Sequence, residues 1–305
     1  MHRKRPLLVV ITGPTASGKT ALAVEMALNF NTEIFSSDSR QFYKEIPIGT
    51  AAPTIEEQRG IKHHFIGHLS IQEDYNVSRY EVDALKALDS FFALKDIAIM
   101  AGGAGLYIDA VTKGMDEMPD PDPEIRTELE QLLANEGIIS LQQKLRLLDE
   151  SYYNEVDLQN PKRLLRAIEV CLITGTPYSE LRKATIKRRP FDVIYIGALR
   201  NKEELAQRIA QRVNLMIETG LEKEAREVYP FRDCNALQTV GYKEIFAYFD
   251  GSISKQEAIE QIIVNTRRYA KRQMTWFKRN QDILWFDPND TTAINNQILK
   301  AYSKD

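Results

Sequence analysis

The sequence predicts an α/β protein: a parallel sheet core carrying a phosphate-binding loop (P-loop), flanked by helices, with an inserted all-helical domain. Three observations predict it. Residues 7–12 form an apolar, β-branched run that enters Gly13-Pro14-Thr15-Ala16-Ser17-Gly18-Lys19-Thr20, and residues 21–28 then read as a helix. Short apolar runs, each ending in turn or polar residues, alternate with helical stretches on either side of the middle of the chain. Between them, residues 115–190 are helical in pattern, begin with a proline-acid linker and end in a basic loop. The boundaries read as residues 1–114 with 191–305 for the core and 115–190 for the insertion.

The first strand and its loop organise the rest. The spacing G-x-x-x-x-G-K-[ST] occurs in the strand–loop–helix setting that it requires. Gly13 and Gly18 permit backbone conformations that a side chain would block. Loop amides and a helix N-terminus then converge on an anion. Lys19 adds a point charge at the outer phosphates, and the Thr20 hydroxyl is placed for Mg²⁺. The motif specifies a diphosphate or triphosphate, not a reaction.

Residues 33–37 are a short strand, with Asp38-Ser39-Arg40-Gln41 at its end. Carboxyl ends of strands carry the site in open α/β sheets. Asp38 therefore reads as a Mg²⁺ ligand or general base, against the alternative of a helix N-cap. His63-His64 lacks a third spaced ligand and reads as structural or substrate-contacting rather than as a metal site. Residues 77–94 are helical. Residues 96–100 are a buried strand ending in Ala101-Gly102-Gly103-Ala104-Gly105-Leu106-Tyr107, a second loop of close backbone approach. A hydrolytic P-loop enzyme would show an aspartate after such a strand; here only Asp287, near the far end, follows an apolar run. Asn201-Lys202-Glu203-Glu204 brushes a guanine-recognition pattern but has glutamate where aspartate is needed.

In the insertion, Asp122 caps and Pro123 starts a helix. Residues 124–134, 141–148 and 163–174 read as helices. Lys162, Arg163 and Arg166 fall three or four apart on one face. Such charges are solvated by default, although the arginine fork suits phosphate. Residues 191–199 return to the sheet. Arg208 and Arg212 share a face of the next helix and read either as surface partners of Glu204 or as a charge reaching the diphosphate. Residues 256–278 form a long helix in which Tyr269, Trp276 and Phe277 interleave with Arg267, Arg268, Lys271, Arg272 and Lys278. That pattern fits a nucleic-acid groove and an ordinary amphipathic helix equally. A last strand covers 283–286, and a helix follows.

The 305 residues are 43% hydrophobic and 27% charged, enough for a sizeable core, with a net charge of -3. No global positive field announces a nucleic-acid partner, so any such partner rests on local patches. Cys171 and Cys234 have no metal-ligand spacing and read as buried thiols of a reducing compartment. The basic residues before the first strand do not form a signal peptide, and no run spans a membrane. The expected setting is cytoplasmic.

Further blocks occur in order: Ser37-Asp38-Ser39-Arg40-Gln41-Phe42-Tyr43, Ile48-Gly49-Thr50-Ala51, His63-His64, Gly102-Gly103-Ala104-Gly105-Leu106-Tyr107, Asn160-Pro161-Lys162-Arg163, Arg166-Ala167-Ile168-Glu169-Val170, Thr174-Gly175, Val240-Gly241-Tyr242-Lys243 and Tyr269-Ala270-Lys271-Arg272-Gln273-Met274-Thr275-Trp276-Phe277. With the phosphate loop, they resemble the bacterial tRNA dimethylallyltransferases, or tRNA isopentenyltransferases, over residues 7–286. The resemblance implies transfer of a dimethylallyl group from dimethylallyl diphosphate to the exocyclic amine of adenosine 37, just 3′ of the anticodon. The base is flipped into a channel, and the insertion grips the anticodon stem-loop. By matching position, Asp38 is the general base, while Lys19, Thr20 and Arg212 hold the diphosphate with Mg²⁺. The tRNA-contacting positions are Asp38, Ser39, Arg40, Gln41, Ala104, Arg126, Lys162, Arg163, Leu164, Leu165 and Arg166. The chain departs from the family at Ala104, usually threonine, and at Gly67 and Asn214, often aspartate. It shows no C-terminal zinc-finger extension, which makes the form look bacterial, and it is expected to act as a monomer.

The chemistry fits the residues. An allylic carbon ionises once its diphosphate leaving group is neutralised. No attacking water is needed, in keeping with the missing Walker-B acid. Three alternatives compete: a small-molecule kinase, an isopentenyltransferase acting on free adenine nucleotide, and a non-catalytic RNA-binding NTPase switch. The helical insertion and residues 269–277 weigh against the first. The insertion also weighs against the second, since a mononucleotide needs no such clamp. The lack of a hydrolytic acid weighs against the third.

Overall fold

The structure is a computed structural model and describes residues 4–183 and 185–303. In chain order come β1 (Leu7–Thr12), α1 (Lys19–Asn29), β2 (Ile34–Ser36), α2 (Ile55–Gln58), β3 (His63–His64), α3 (Val77–Phe92), β4 (Ile97–Gly102) and α4 (Gly105–Lys113). Next are α5 (Pro123–Glu136), α6 (Ile138–Leu148), α7 (Glu150–Glu155), α8 (Pro161–Thr174) and α9 (Tyr178–Leu181). The chain continues with β5 (Asp192–Ala198), α10 (Lys202–Glu218), α11 (Leu221–Val228), α12 (Tyr242–Phe249), α13 (Lys255–Phe277), β6 (Ile283–Phe286) and α14 (Thr291–Ser303). It divides into two compact units. One runs to Thr112 and resumes at Arg188; the other is Lys113–Lys187.

In the first unit the six strands are parallel, in the order β3-β2-β4-β1-β5-β6. β1 is buried along its whole length because helices cover both faces. Leu8 and Val10 join Phe35, Tyr80 and Met100 on one face; Leu7, Val9 and Ile11 join Met26, Ile99 and Ile298 on the other. The chain runs from β1 to one side of the sheet and later returns on its other side at β5. The carboxyl end of β1 is therefore the switch point where ligand crevices form.

Several apparent motifs resolve into local structure. Asn201 caps α10 by accepting from Glu204 N at 2.8 Å, which accounts for the guanine-like pattern. Asp287 closes a turn after the edge strand β6 by accepting from Asn289 N at 2.8 Å. His64 pairs with Glu33 at 2.6 Å and stacks on Phe35. Cys171 is buried, but Cys234 is only half-buried, contrary to the expectation for both thiols.

In the second unit, Asp122 caps α5 through Glu124 N and Ile125 N, with Pro123 in the first turn. Leu129, Leu141, Leu145, Leu164, Leu165 and Ile168 make its core. Of the expected tRNA-contacting positions, Leu164 and Leu165 have side chains on the buried face of α8, where they hold the helix to its neighbours. Arg126 and Arg166, two of the expected tRNA-contacting positions, are both engaged by one carboxylate. Arg126 grips the fully buried Glu169 with two hydrogen bonds of 3.0 and 2.5 Å, and Arg166 donates to the same carboxylate at 2.7 Å and to Pro119 O at 2.7 Å. A buried carboxylate is tolerated only when paired this fully. Lys162 and Arg163, in the first turn of α8, are exposed. Of the basic 182–190 stretch, Arg189 belongs to the first unit, paired with Glu81 at 2.6 Å and donating to the Val111 and Ala110 carbonyls.

Candidate active site

The loop after β1 turns sharply at Gly13 (φ 143°), where a Cβ would come within 2.6 Å of Ala198 O on β5. Gly18 (φ 100°) then leads into α1 in the left-handed region. Three loop carbonyls are taken by cations: Pro14 O by Lys19 Nζ at 2.7 Å, Ala16 O by Arg208 Nε at 2.8 Å and Ser17 O by Arg200 Nε at 3.0 Å. The amides of Ala16, Gly18, Lys19 and Thr20 find no acceptor among the described residues. With no side-chain cap on α1, these donors are what the loop offers an anion.

A cavity of about 190 Å³ opens on this loop, bounded by Lys19, Thr20, Asp38, Gln41, Arg212 and Gln273. Arg208 and Tyr269 complete its polar wall, and Ile34, Ile66 and Ala101 give it an apolar side. Arg212 donates to Thr15 Oγ1 at 3.3 Å, so α10 directs Arg208 and Arg212 at the same loop. Burial pushes the Lys19 ammonium down to about 8, with Asp38 partly offsetting this and Arg212 adding to it. Burial, then repulsion from Arg208, lowers Arg212. Glu57 and Asp38 offset this only in part, and buried cations that repel one another are the electrostatic signature of an anion site.

Asp38 follows β2 at the rim of the cavity. Its Oδ1 accepts from Arg40 N at 3.2 Å in a turn, and Gln41 N donates to Asp38 O. No helix begins there, so the N-cap alternative falls. Arg40 is drawn away to the Asn235 and Ala236 carbonyls, and Gln41 Nε2 holds Thr50 O and Ala51 O. Ser39 is half-exposed in the same turn. His63 lines the cavity; its Nδ1 lies 2.9 Å from Ile61 O, and burial lowers its pKa, so the ring is neutral with Nδ1 protonated.

The second glycine loop is held by backbone proximity. A Cβ on Gly102 would come within 2.6 Å of the Ser37 main chain, and one on Gly105 would overlap the Trp276 ring. Ala104 precedes α4, its carbonyl accepting from Tyr107 N and Ile108 N. α13 settles its ambiguity by facing both ways. Ala270, Gln273 and Phe277 are buried, and Trp276 Nε1 donates to Asp109 Oδ2 at 3.1 Å. Arg267, Arg268, Lys271, Arg272 and Lys278 point to solvent.

Sequence reasoning missed Gln273, Tyr269 and Arg200 as site residues, and left Arg208 undecided. Gln273 falls on the buried stripe of Ile262, Ala270 and Phe277, but its distant partners carry no local signal. Thr20 supplies a hard hydroxyl oxygen to the cavity, and no cluster of three metal-ligating side chains occurs among the described residues. That donor set suits a Mg²⁺ ion that keeps several waters and takes its other ligands from a phosphate.

Fold and site together define a P-loop α/β protein whose anion cradle adjoins a carboxylate rather than a hydrolytic acid. The IPP transferase family model matches residues 41–280. The tRNA dimethylallyltransferase of Christiangramia forsetii is 49% identical over 280 residues, covering 92% of this chain and 93% of that one. That of Flavobacterium psychrophilum is 48% identical over 303 residues, covering 97% and 99%. The full-length tRNA isopentenylpyrophosphate transferase of Bacillus halodurans superposes with a TM-score of 0.72 at 33% identity, over 98% and 97% of the two chains. A eukaryotic dimethylallyltransferase acting on tRNA superposes with a TM-score of 0.79 at 26% identity, over 97% of this chain and 77% of that one. The chain belongs to the IPP transferase family, that of the tRNA dimethylallyltransferases.

Proposed function

We propose that this protein transfers the dimethylallyl group of dimethylallyl diphosphate to the N6 amine of adenosine 37 in tRNA and releases diphosphate. The observation that carries the reading is the single cavity shared by Lys19, Thr20, Arg212 and Asp38. The loop from Gly13 to Thr20, with Lys19 and Arg212, binds the diphosphate and stabilises the negative charge that grows as the allylic C–O bond breaks. The Thr20 hydroxyl would hold a Mg²⁺ ion, which would supply further neutralisation of that leaving group. The everted adenine offers N6 to the allylic carbon, and a new C–N bond forms. Asp38 accepts the proton that N6 loses, so the product amine is neutral and the diphosphate departs as an anion. Extrusion of the base is required because that amine must reach a pocket closed to bulk water.

The helical unit is the tRNA grip in this reading. Its exposed cations include Lys162 and Arg163, while Arg126 and Arg166 fix the helix that presents them. Ser39, Arg40, Gln41 and Ala104 border the route to Asp38. The test is incubation with tRNA and either labelled dimethylallyl diphosphate or labelled ATP. Label entering tRNA from the allyl donor alone is the expected result; label from ATP alone would replace this reading with a kinase.

A further inference from the structure

Gln273 is 6% exposed, and its amide joins two segments remote from it and from each other. Its Oε1 accepts from Thr15 N at 2.8 Å, and its Nε2 donates to Gly103 O at 3.0 Å. These bonds require opposite roles at the two ends of the amide, so its orientation is determined. Gly103 has no side chain where a Cβ would overlap that Nε2. Gly102, the neighbour, packs directly on the Ser37 main chain, and Ser37 N donates to Ala101 O at 2.9 Å. A continuous chain of contacts thus runs from the phosphate loop through Gln273 and the glycine loop to the residue before Asp38. We propose that Gln273 is a positioning residue for the transfer reaction, setting the separation between the diphosphate cradle and the Asp38 carboxylate. It also occupies the Thr15 amide, which directs the diphosphate to the other loop amides.

This inference rests on the dimethylallyl-transfer reading. The decisive variants are Gln273→Glu and Gln273→Leu. A carboxylate at 273 would accept from Thr15 N but repel Gly103 O and the diphosphate. A protonated carboxyl has one donor and one acceptor, as the amide does, and burial favours that form. With full-length protein, Q273L is expected to lower kcat/KM for the allyl donor by on the order of 10- to 100-fold. Its dissociation constant for tRNA should stay within about twofold, because its two hydrogen bonds go to Thr15 and Gly103 and none to Lys162 or Arg163 of the helical unit. Q273E should show a similar defect at pH 8. Its deficit relative to wild type at the same pH should then shrink by at least about fivefold on lowering pH to 6, as the buried carboxyl takes up its proton. The Q273L deficit should not change with pH. Melting temperatures identify any variant that fails to fold, and Q273E, nearly isosteric, carries the test if Q273L does not fold. A pH-independent deficit for folded Q273E, or a Q273L enzyme with wild-type constants, overturns the assignment. A wild-type enzyme that moves no label from the allyl donor defeats instead the reading beneath it.

Discussion

The Lys19 ammonium offers a quantitative handle on donor binding. It is buried against Pro14 O and faces Arg212, and its pKa falls from 10.5 to about 8. That fall corresponds to about 3 kcal/mol of unfavourable environment for the charged form. The folded state binds fewer protons than the unfolded chain between pH 8 and 10.5, so this cost is fully present below pH 8 and fades as pH rises to 10.5. An anion on the loop should relieve it and raise the pKa again. Dimethylallyl diphosphate binding without tRNA should therefore take up about half a proton at pH 8. At pH 9 about one-tenth of the free protein holds this proton, so the dissociation constant should be about tenfold weaker than at pH 7. Calorimetry in two buffers of different ionisation enthalpy measures both quantities. Lys19→Arg keeps its charge throughout and should show neither effect. An affinity constant across pH 7 to 9, with no buffer dependence of the heat, would refute an anion seated on Lys19.

Four further outcomes are expected. Asp38→Ala should reduce transfer by on the order of 10²- to 10⁴-fold while donor and tRNA binding persist, as measured by single-turnover assay and filter binding. Lys162→Ala with Arg163→Ala should weaken tRNA binding and lower the slope of log K against log salt by about 1 per lost phosphate contact, whereas Arg166→Ala, which strips a partner from buried Glu169, should chiefly lower the melting temperature. Tyr242→Phe removes the 2.5 Å hydrogen bond to Glu224, the carboxylate that also holds Ile48 N and Gly49 N; urea unfolding should show a loss of about 1–3 kcal/mol.

The sheet was legible where strands are long and buried. β1, β4 and β5 read as continuous apolar runs because both of their faces are covered. β3, two residues long, carries no period and was invisible. α11 and α12 are short and follow Gly220 and Gly241, so their apolar stripes were lost among turn signals. The start of α4 was hidden for a different reason: Gly105 reads as loop, yet it is required there because Trp276 fills the space of its side chain. At the site, the phosphate loop and Asp38 were legible because their spacing is local. Gln273 was not, since its partners lie 258 and 170 positions away. Glu169 was hidden likewise: a glutamate three residues after an arginine on a helix reads as surface until its burial is known.

The supports of the phosphate loop have a consequence for biosynthesis. Arg200 and Arg208, which take its carbonyls, and Gln273, which takes the Thr15 amide, all follow the helical insertion in the chain. A growing polypeptide that has completed its glycine-lysine signature, and even the whole helical insertion, still lacks the struts that shape the cradle. Diphosphate affinity should arise only after α13 has left the ribosome and docked, so an unfinished chain does not sequester the allyl donor.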